Sequence, residues 1–459
     1  MSTRVAVVGG GISGLAAGFY AQQRGAEVAL FEADGRIGGK IQTSPLAGVD
    51  VNEGPDAFLA RVPEAIDLCR AVGLEPDLVT PAQRHAFLFV DGALRPIPQP
   101  MVLGVPLEGA PLVASGVTSA AGEAGLAADL ARTETPPDHG DSIGRLIRSR
   151  MGDEILERLV DPLLGGINAG DADRLSVAAS APQFAAVADE PSLARALARQ
   201  RRSIDPDAPI FYTVRGGLAR LTGAVADALT GAIRCDAPVT ELRADGPQWV
   251  VTTPGERWVA DHVILTTPSG VTSRLLTPLI GPSPLDEIEY SGVVLAALAY
   301  DPVTIEHPLD GSGFLVPRSE GLLMTAATWS SAKWAHLQAA DPQGKRTAFL
   351  RVSAGRFGDT RALEMTDDEF IAAARADLVT TMGLRAEPTA VRVTRYPDSF
   401  PQYTPGHLDR VDAIEQQLAA FAGLHLAGAP YRGVGIPACI RHAKAAVGRA
   451  LEGAGTSAH

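Results

Sequence analysis

The chain has 459 residues, 46% of them hydrophobic and 20% charged; it is too apolar for a disordered protein and long enough for two or three domains. Its formal net charge of −13 excludes a generally basic nucleic-acid binder and argues against electrostatic docking on an anionic membrane. The cysteines Cys69, Cys235 and Cys439 are widely spaced, with no Cys-x-x-Cys pair. That argues against a zinc site or disulfide framework and for reduced thiols in a cytoplasm. Among the 40 basic residues only Lys40, Lys333, Lys345 and Lys444 are lysines; we read this as codon bias in a GC-rich genome.

The N-terminus is a strand entering a glycine turn, not a charged leader with an apolar core. Val5–Val8 is a short apolar run, as expected of a parallel strand buried on both faces. A helix over Leu15–Arg24 stops at Gly25, and Glu27–Glu32 is a second strand, completing a βαβ opening. Pro63–Val72 reads as a helix. From Ile97 to Gly122 the only charge is Glu108, and Pro98, Pro100, Pro106 and Pro111 forbid one long helix. Such a stretch belongs to the interior of a substrate domain; its alternative is a lip making weak peripheral contact with a membrane. No apolar run reaches the roughly 18 residues needed to cross one. Asp141–Asp161 is amphipathic at helical spacing, and Pro191–Arg202 is helical. Gly216-Gly217-Leu218 leads into a helix through Leu229. Strands follow at Val239–Leu242, Trp249–Thr253, His262–Thr266 and Val293–Tyr300. Asp367–Met382 is a helix, Thr389–Tyr396 and Leu424–Ala427 are strands, Gly428–Gly435 is a loop and Ile436–Leu451 a helix. Gly453–His459 reads as a frayed tail.

The spacing Gly9-x-Gly11-x-x-Gly14 follows a strand and opens a helix, and Glu32 ends the next strand. In that context each part has a task. Gly9 permits the turn, Gly11 lets the backbone approach a pyrophosphate, Gly14 allows close helix–strand packing, and Glu32 accepts from ribose hydroxyls. Gly10, Ile12 and Ser13 complete the turn at the helix N-terminus, where free N–H groups favour phosphate. The motif by itself does not choose between NAD and FAD.

The next segment does so by resemblance. Glu32-Ala33-Asp34-Gly35-Arg36-Ile37-Gly38-Gly39-Lys40 is similar to the E-x-x-x-R-x-G-G segment of FAD-containing amine oxidases, phytoene desaturases and protoporphyrinogen oxidases. Glu53-Gly54-Pro55-Asp56-Ala57-Phe58-Leu59, Asp161–Asp171 (DPLLGGINAGD) and Leu426–Ile440 (LAGAPYRGVGIPACI) resemble motifs of the porphyrinogen-oxidase branch. On these matches the chain resembles the FAD-dependent protoporphyrinogen/coproporphyrinogen oxidase family, closest to its soluble Gram-positive bacterial type. Two positions depart from the pattern: Ala438 stands where an Asp is usual, and Ile167-Asn168 where an aromatic is common.

The resemblance implies an α/β architecture: a Rossmann-type FAD-binding domain in discontinuous pieces (1–75, 212–282 and 420–453). A helical subdomain (76–211) and an inserted α+β substrate-binding domain (283–419) would accompany it. It places Arg36 and Gly38-Gly39, next to Lys40, near the FAD pyrophosphate and ribityl chain. Gly54 to Ala57 would lie along the flavin ring, the Val239 backbone at the adenine, and Val434, Gly435 and Ile436 at the pyrimidine end. A helix N-terminus there would stabilise negative charge. It implies an oxygen-dependent oxidation of coproporphyrinogen III to coproporphyrin III in three two-electron steps. Hydrogen peroxide would be the by-product and a ferrochelatase a receiver of the product. Arg61 is the candidate contact for a substrate propionate. No general base or metal ligand is identified. Protoporphyrinogen IX oxidase, another FAD amine oxidase or desaturase, and a non-catalytic porphyrin-carrying flavoprotein are the alternatives.

Overall fold

In the computed structural model, which describes residues 2–134, 140–202, 205, 208–338 and 346–452, the opening apolar run forms β1 (Arg4–Val8). Helix α1 (Ile12–Gln23) and strand β2 (Glu27–Phe31) follow. Gly25, at φ +82°, turns the chain back after α1. β1 pairs in parallel with β2 and with His262–Leu265. Ala232–Arg234 lies outside β2 and Leu424–Leu426 outside His262–Leu265, giving five parallel strands drawn from the beginning, middle and end of the chain.

Both faces of this sheet are covered, which is why its strands are continuously apolar. α1 and the last helix (Ile436–Glu452) cover one face, where Val5, Leu15, Leu30, Ile264 and Ile440 have no exposure. Each such side chain contributes about 1.5–3 kcal/mol of burial free energy. On the other face Trp249, Leu276, Val411 and Ile414 pack. Trp249 belongs to an antiparallel sheet of Glu241–Asp245, Gln248–Thr252 and Arg257–Ala260. Its first strand begins at Glu241 rather than Val239, and its third was not expected, since only Ala260 of that strand is buried.

A second, seven-stranded sheet runs in the order Ala390–Pro401, Tyr290–Tyr300, Ala348–Ala354, Met324–Thr328, Gly313–Leu315, Phe87–Val90, Ala93–Pro96. On one face Val294, Ala296 and Leu298 pack against Phe370, Ala374 and Leu378 of the helix Asp367–Met382. On the opposite face Val293, Leu295, Ser353, Thr394 and Tyr396 are only half-buried. Thr394 and Tyr396 lie on the edge strand and the others on its two inner neighbours, while Ala297, Ala299 and Phe349 of the same strands pack against Leu46, Val51 and Trp334.

The third body is helical, with Leu112, Leu126, Leu146, Ile147, Leu159 and Leu197 at its centre. The apolar stretch after Ile97 belongs to it: Val105, Leu107, Leu112 and Val117 are buried, while Val113 is exposed. Its prolines divide it into a short hairpin and the helix Gly109–Ser115. Asp141–Asp161 is not one helix. Gly152, at φ +86°, ends Ile143–Met151, and the chain continues through a wide π-helical turn (Leu156–Val160) into Asp161–Asn168. Pro430 starts a single helical turn, Ala429–Arg432, inside the expected loop after Leu426. The three cysteines are free. Among the described residues no helix is long and apolar enough to cross a membrane. The expected tail, residues 453–459, lies outside the described residues.

Candidate functional site

After Val8 the chain must reverse and start α1 within a few residues. Gly9 does so at φ +106°, and a Cβ there would lie 2.8 Å from Thr266 Oγ1. A Cβ on Gly14 would lie 1.8 Å from the Gly9 carbonyl, and one on Gly10 2.8 Å from Glu32 Oε2. The protein itself therefore demands these three glycines. Gly11 is different. Its φ of −71° suits any residue, and nothing lies within 4 Å of the position a Cβ would take. The space it leaves is open to a group that is not protein. Gly11 is also the N-cap of α1, whose first turn has no acidic residue and no side-chain cap. Those N–H groups and the positive end of the helix dipole favour an anion.

Glu32 clamps the turn: Gly10 N–H donates to its Oε2 at 2.5 Å and Asp34 N–H to its Oε1 at 2.9 Å. Ala33 is exposed beside it, and the Ala237 N–H donates to the Glu32 carbonyl at 2.8 Å. Val239 lies half-buried two residues beyond. Gly38 and Gly39 run past the turn in left-handed conformations, and Gly38 N–H donates to the Gly10 carbonyl at 2.8 Å. A Cβ on Gly39 would stand 3.3 Å from the Gly11 Cα. Arg36 curls over this segment, donating to the carbonyls of Ile37 (3.2 Å) and Gly39 (3.1 Å). Lys40 is accessible yet hemmed in by protein, and burial lowers the pKa of its ammonium group against the pull of Cys439 and Asp398.

The strip Gly54, Pro55, Asp56, Ala57 lies alongside, since a Cβ on Gly54 would meet the Lys40 carbonyl at 2.1 Å. Tyr396, from the half-buried sheet face, donates to that same carbonyl at 3.4 Å. The C-terminal motif completes the ring of segments. Gly433 N–H donates to Tyr403 Oη at 2.8 Å, and Gly435 caps the last helix by accepting from Cys439 N–H at 2.9 Å. Val434 and Ile436 flank that cap. Burial pushes the Cys439 thiol up, opposed by Ser13 and Lys40, so the start of α1, the Gly38–Lys40 segment and the last helix meet at one place.

The sequence pattern described as flavin containing amine oxidoreductase matches residues 12–451. The chain is 34% identical to the coproporphyrinogen III oxidase of Bacillus subtilis, covering 97% of each chain. It is 31% identical to the coproporphyrinogen III oxidase of Staphylococcus aureus, over 97% of this chain and 98% of that one. A crystal structure from Exiguobacterium sp., named for protoporphyrinogen oxidase, superposes with a TM-score of 0.86 at 31% identity, over 97% of this chain and 98% of that one. The chain belongs to the flavin containing amine oxidoreductase family.

The cofactor of this flavin oxidoreductase is FAD, and the residues present fit it. Gly11 leaves room against a helix N-terminus, and the other glycine segments converge on the same space. Arg61 stands apart, in an exposed turn after Phe58–Leu59, and makes no hydrogen bond or ion pair among the described residues. Exposed Leu59, Ile210 and Phe211 adjoin it. In the motif Asp161–Asp171, Asp161 accepts from Ala172 N–H (3.0 Å) and Arg318 Nε (3.2 Å), so it holds the chain rather than facing open space. Of the two departing residues, Ile167 is exposed and Asn168 buried.

Sequence reasoning missed Thr266, Tyr396, Tyr403, Lys333 and Arg351. The last two left a trace. Arg351 interrupts an apolar strand, AFLRVSA, and Lys333 is one of only four lysines and precedes Trp334.

Proposed function

We propose that this flavin oxidoreductase converts coproporphyrinogen III to coproporphyrin III in the cytoplasm. The observation that carries the reading is the space left at Gly11 against the N-terminus of α1, in a chain 34% identical to the Bacillus subtilis coproporphyrinogen III oxidase over 97% of each. When bound, FAD supplies the capacity to accept two electrons at a time, so a six-electron oxidation takes three rounds. The chain holds FAD through Gly9–Gly14 and Glu32 at the nucleotide end, and Arg36 and Gly38–Lys40 at the pyrophosphate. Val239 serves the adenine, and Gly54–Ala57 with Val434–Ile436 the ring. Arg61 binds a propionate, offsetting the acidic character of the chain. Dioxygen is the re-oxidant, reduced to one hydrogen peroxide per round, and a ferrochelatase takes the product.

The name of the Exiguobacterium structure favours a second reading, protoporphyrinogen IX as substrate. Steady-state kinetics on both porphyrinogens, followed by porphyrin fluorescence with oxygen and peroxide measured in parallel, decide between them. A higher kcat/KM on coproporphyrinogen III, with three peroxides per porphyrin, is expected. Preference for protoporphyrinogen IX would reverse the substrate assignment. Absence of turnover on both would leave a porphyrin-carrying flavoprotein.

A further inference from the structure

Asp56 of the Gly54–Ala57 strip is held by charges from outside the binding motifs. Lys333 Nζ donates to Asp56 Oδ2 at 2.8 Å, Trp334 Nε1 to the same oxygen at 3.3 Å, and Arg351 stands 3.6 Å from Asp56 Oδ1. Arg351 also donates to the Gly54 carbonyl at 2.6 Å. The three charged side chains are only 15–19% exposed, so water screens them weakly. Burial alone would raise the pKa of Asp56, but Lys333 and Arg351 hold its carboxyl far below the usual range. The nearby carboxylate, Glu53, is engaged by Ser44 and Arg392. The group therefore contains two cations and one anion. Arg351 Nε is buried without a protein acceptor, and Lys333 lies 5.8 Å from the Phe211 ring and 5.0 Å from that of Trp334. Among the described residues, one positive charge is left without a carboxylate.

We propose that Lys333 and Arg351 are positioning residues that set the reduction potential of the flavin. Anchored through Asp56 and the Gly54 carbonyl, they fix the strip and place a net positive charge behind it. This rests on the reading that the flavin ring lies along Gly54–Ala57. A fixed positive charge in a poorly screened site favours the more negative, reduced state of a neighbouring cofactor. Arg351 also ties the strip, which follows the nucleotide motifs, to the seven-stranded sheet.

The test is the two-electron midpoint potential of the FAD-loaded enzyme, with flavin content measured on the same samples. Lys333→Gln and Arg351→Gln should each lower the potential, by about 30 mV for a tenfold change in the reduction equilibrium. Asp56→Asn should raise it, and Lys333→Arg should leave it near the wild-type value. The opposite signs matter, because mere loosening of the strip would move all variants the same way, toward free flavin. Shifts of one sign, or none at full FAD occupancy, would overturn the proposal. So would loss of folded, FAD-loaded protein in both glutamine variants, which would leave a structural role alone. The reading beneath it fails separately: Gly54→Val, which forces the strip away from Lys40, would then leave flavin content and its visible spectrum unchanged.

Discussion

Gly11 and Glu32 belong to the same motif but act through different physics. Gly11 is small for the sake of something outside the chain. Gly11→Ala should therefore fold, since its φ of −71° is ordinary, and lose FAD, which absorbance of the purified protein would report. Full flavin occupancy would refute the nucleotide site. Glu32 holds two backbone N–H groups of the turn itself. Glu32→Ala should cost stability as well as FAD affinity, about 1.5–3 kcal/mol for each charge-assisted bond lost. Glu32→Gln, which retains an acceptor, should recover part of it. Denaturation of the apoprotein separates the two effects. Arg61 is exposed and has no partner among the described residues, and the role proposed for it is a substrate contact. Arg61→Ala should raise KM for coproporphyrinogen III and lower kcat/KM about ten- to a hundred-fold, with flavin content and kcat little changed. Arg61→Lys should recover part, lacking the bidentate fork. Unchanged KM values would mean that the propionates are held elsewhere.

At the level of elements, the segment Gly428–Gly435 is held from outside. The Tyr403 hydroxyl donates to the Ala429 carbonyl and accepts from Gly433 N–H. Tyr403→Phe leaves that N–H without its partner, at a cost of about 1–3 kcal/mol, and should weaken FAD binding. Equal FAD affinity would show that the segment supports itself. His407 stacks on Tyr403, with Nε2 2.8 Å from the Tyr431 carbonyl. Burial pushes its pKa down to about 4, and likewise that of His442, whose ring packs edge-on to Tyr431. The unfolded chain would protonate both near about 6.5. The folded values are the lower ones, so this contribution to stability is complete above pH 6.5 and is lost as pH falls toward 4. FAD should be released progressively across that window, and His407→Gln, which keeps a donor, should flatten the dependence. A flat release profile for the wild type would contradict the assignment.

Across the whole molecule, the proposed cofactor site takes residues from the first sixty positions and the last thirty, with Val239 and Thr266 from between. FAD should therefore stabilise the entire fold, by about 2.7 kcal/mol at a hundred-fold excess over Kd. Calorimetry of apo and loaded protein should show one transition moving upward. Two transitions, with only one shifting, would show that the sheets unfold independently. The sequence by itself determined the nucleotide turn. Glycine spacing, a buried strand and a helix start are local, and local sterics decide them within about thirty residues. It also located the C-terminal motif and the last helix. It could not show that Glu32 braces the turn. Nor could it show that Gly152 breaks the helical run, because a glycine within an amphipathic pattern is compatible with either outcome. The Lys333–Asp56 pair spans 277 positions, and no periodicity carries information over that distance. The half-buried face of the seven-stranded sheet was equally illegible. Val293–Tyr300 is apolar throughout, so only the tertiary packing decides that Val293 and Leu295 stay half-buried while Val294, Ala296 and Leu298 are buried.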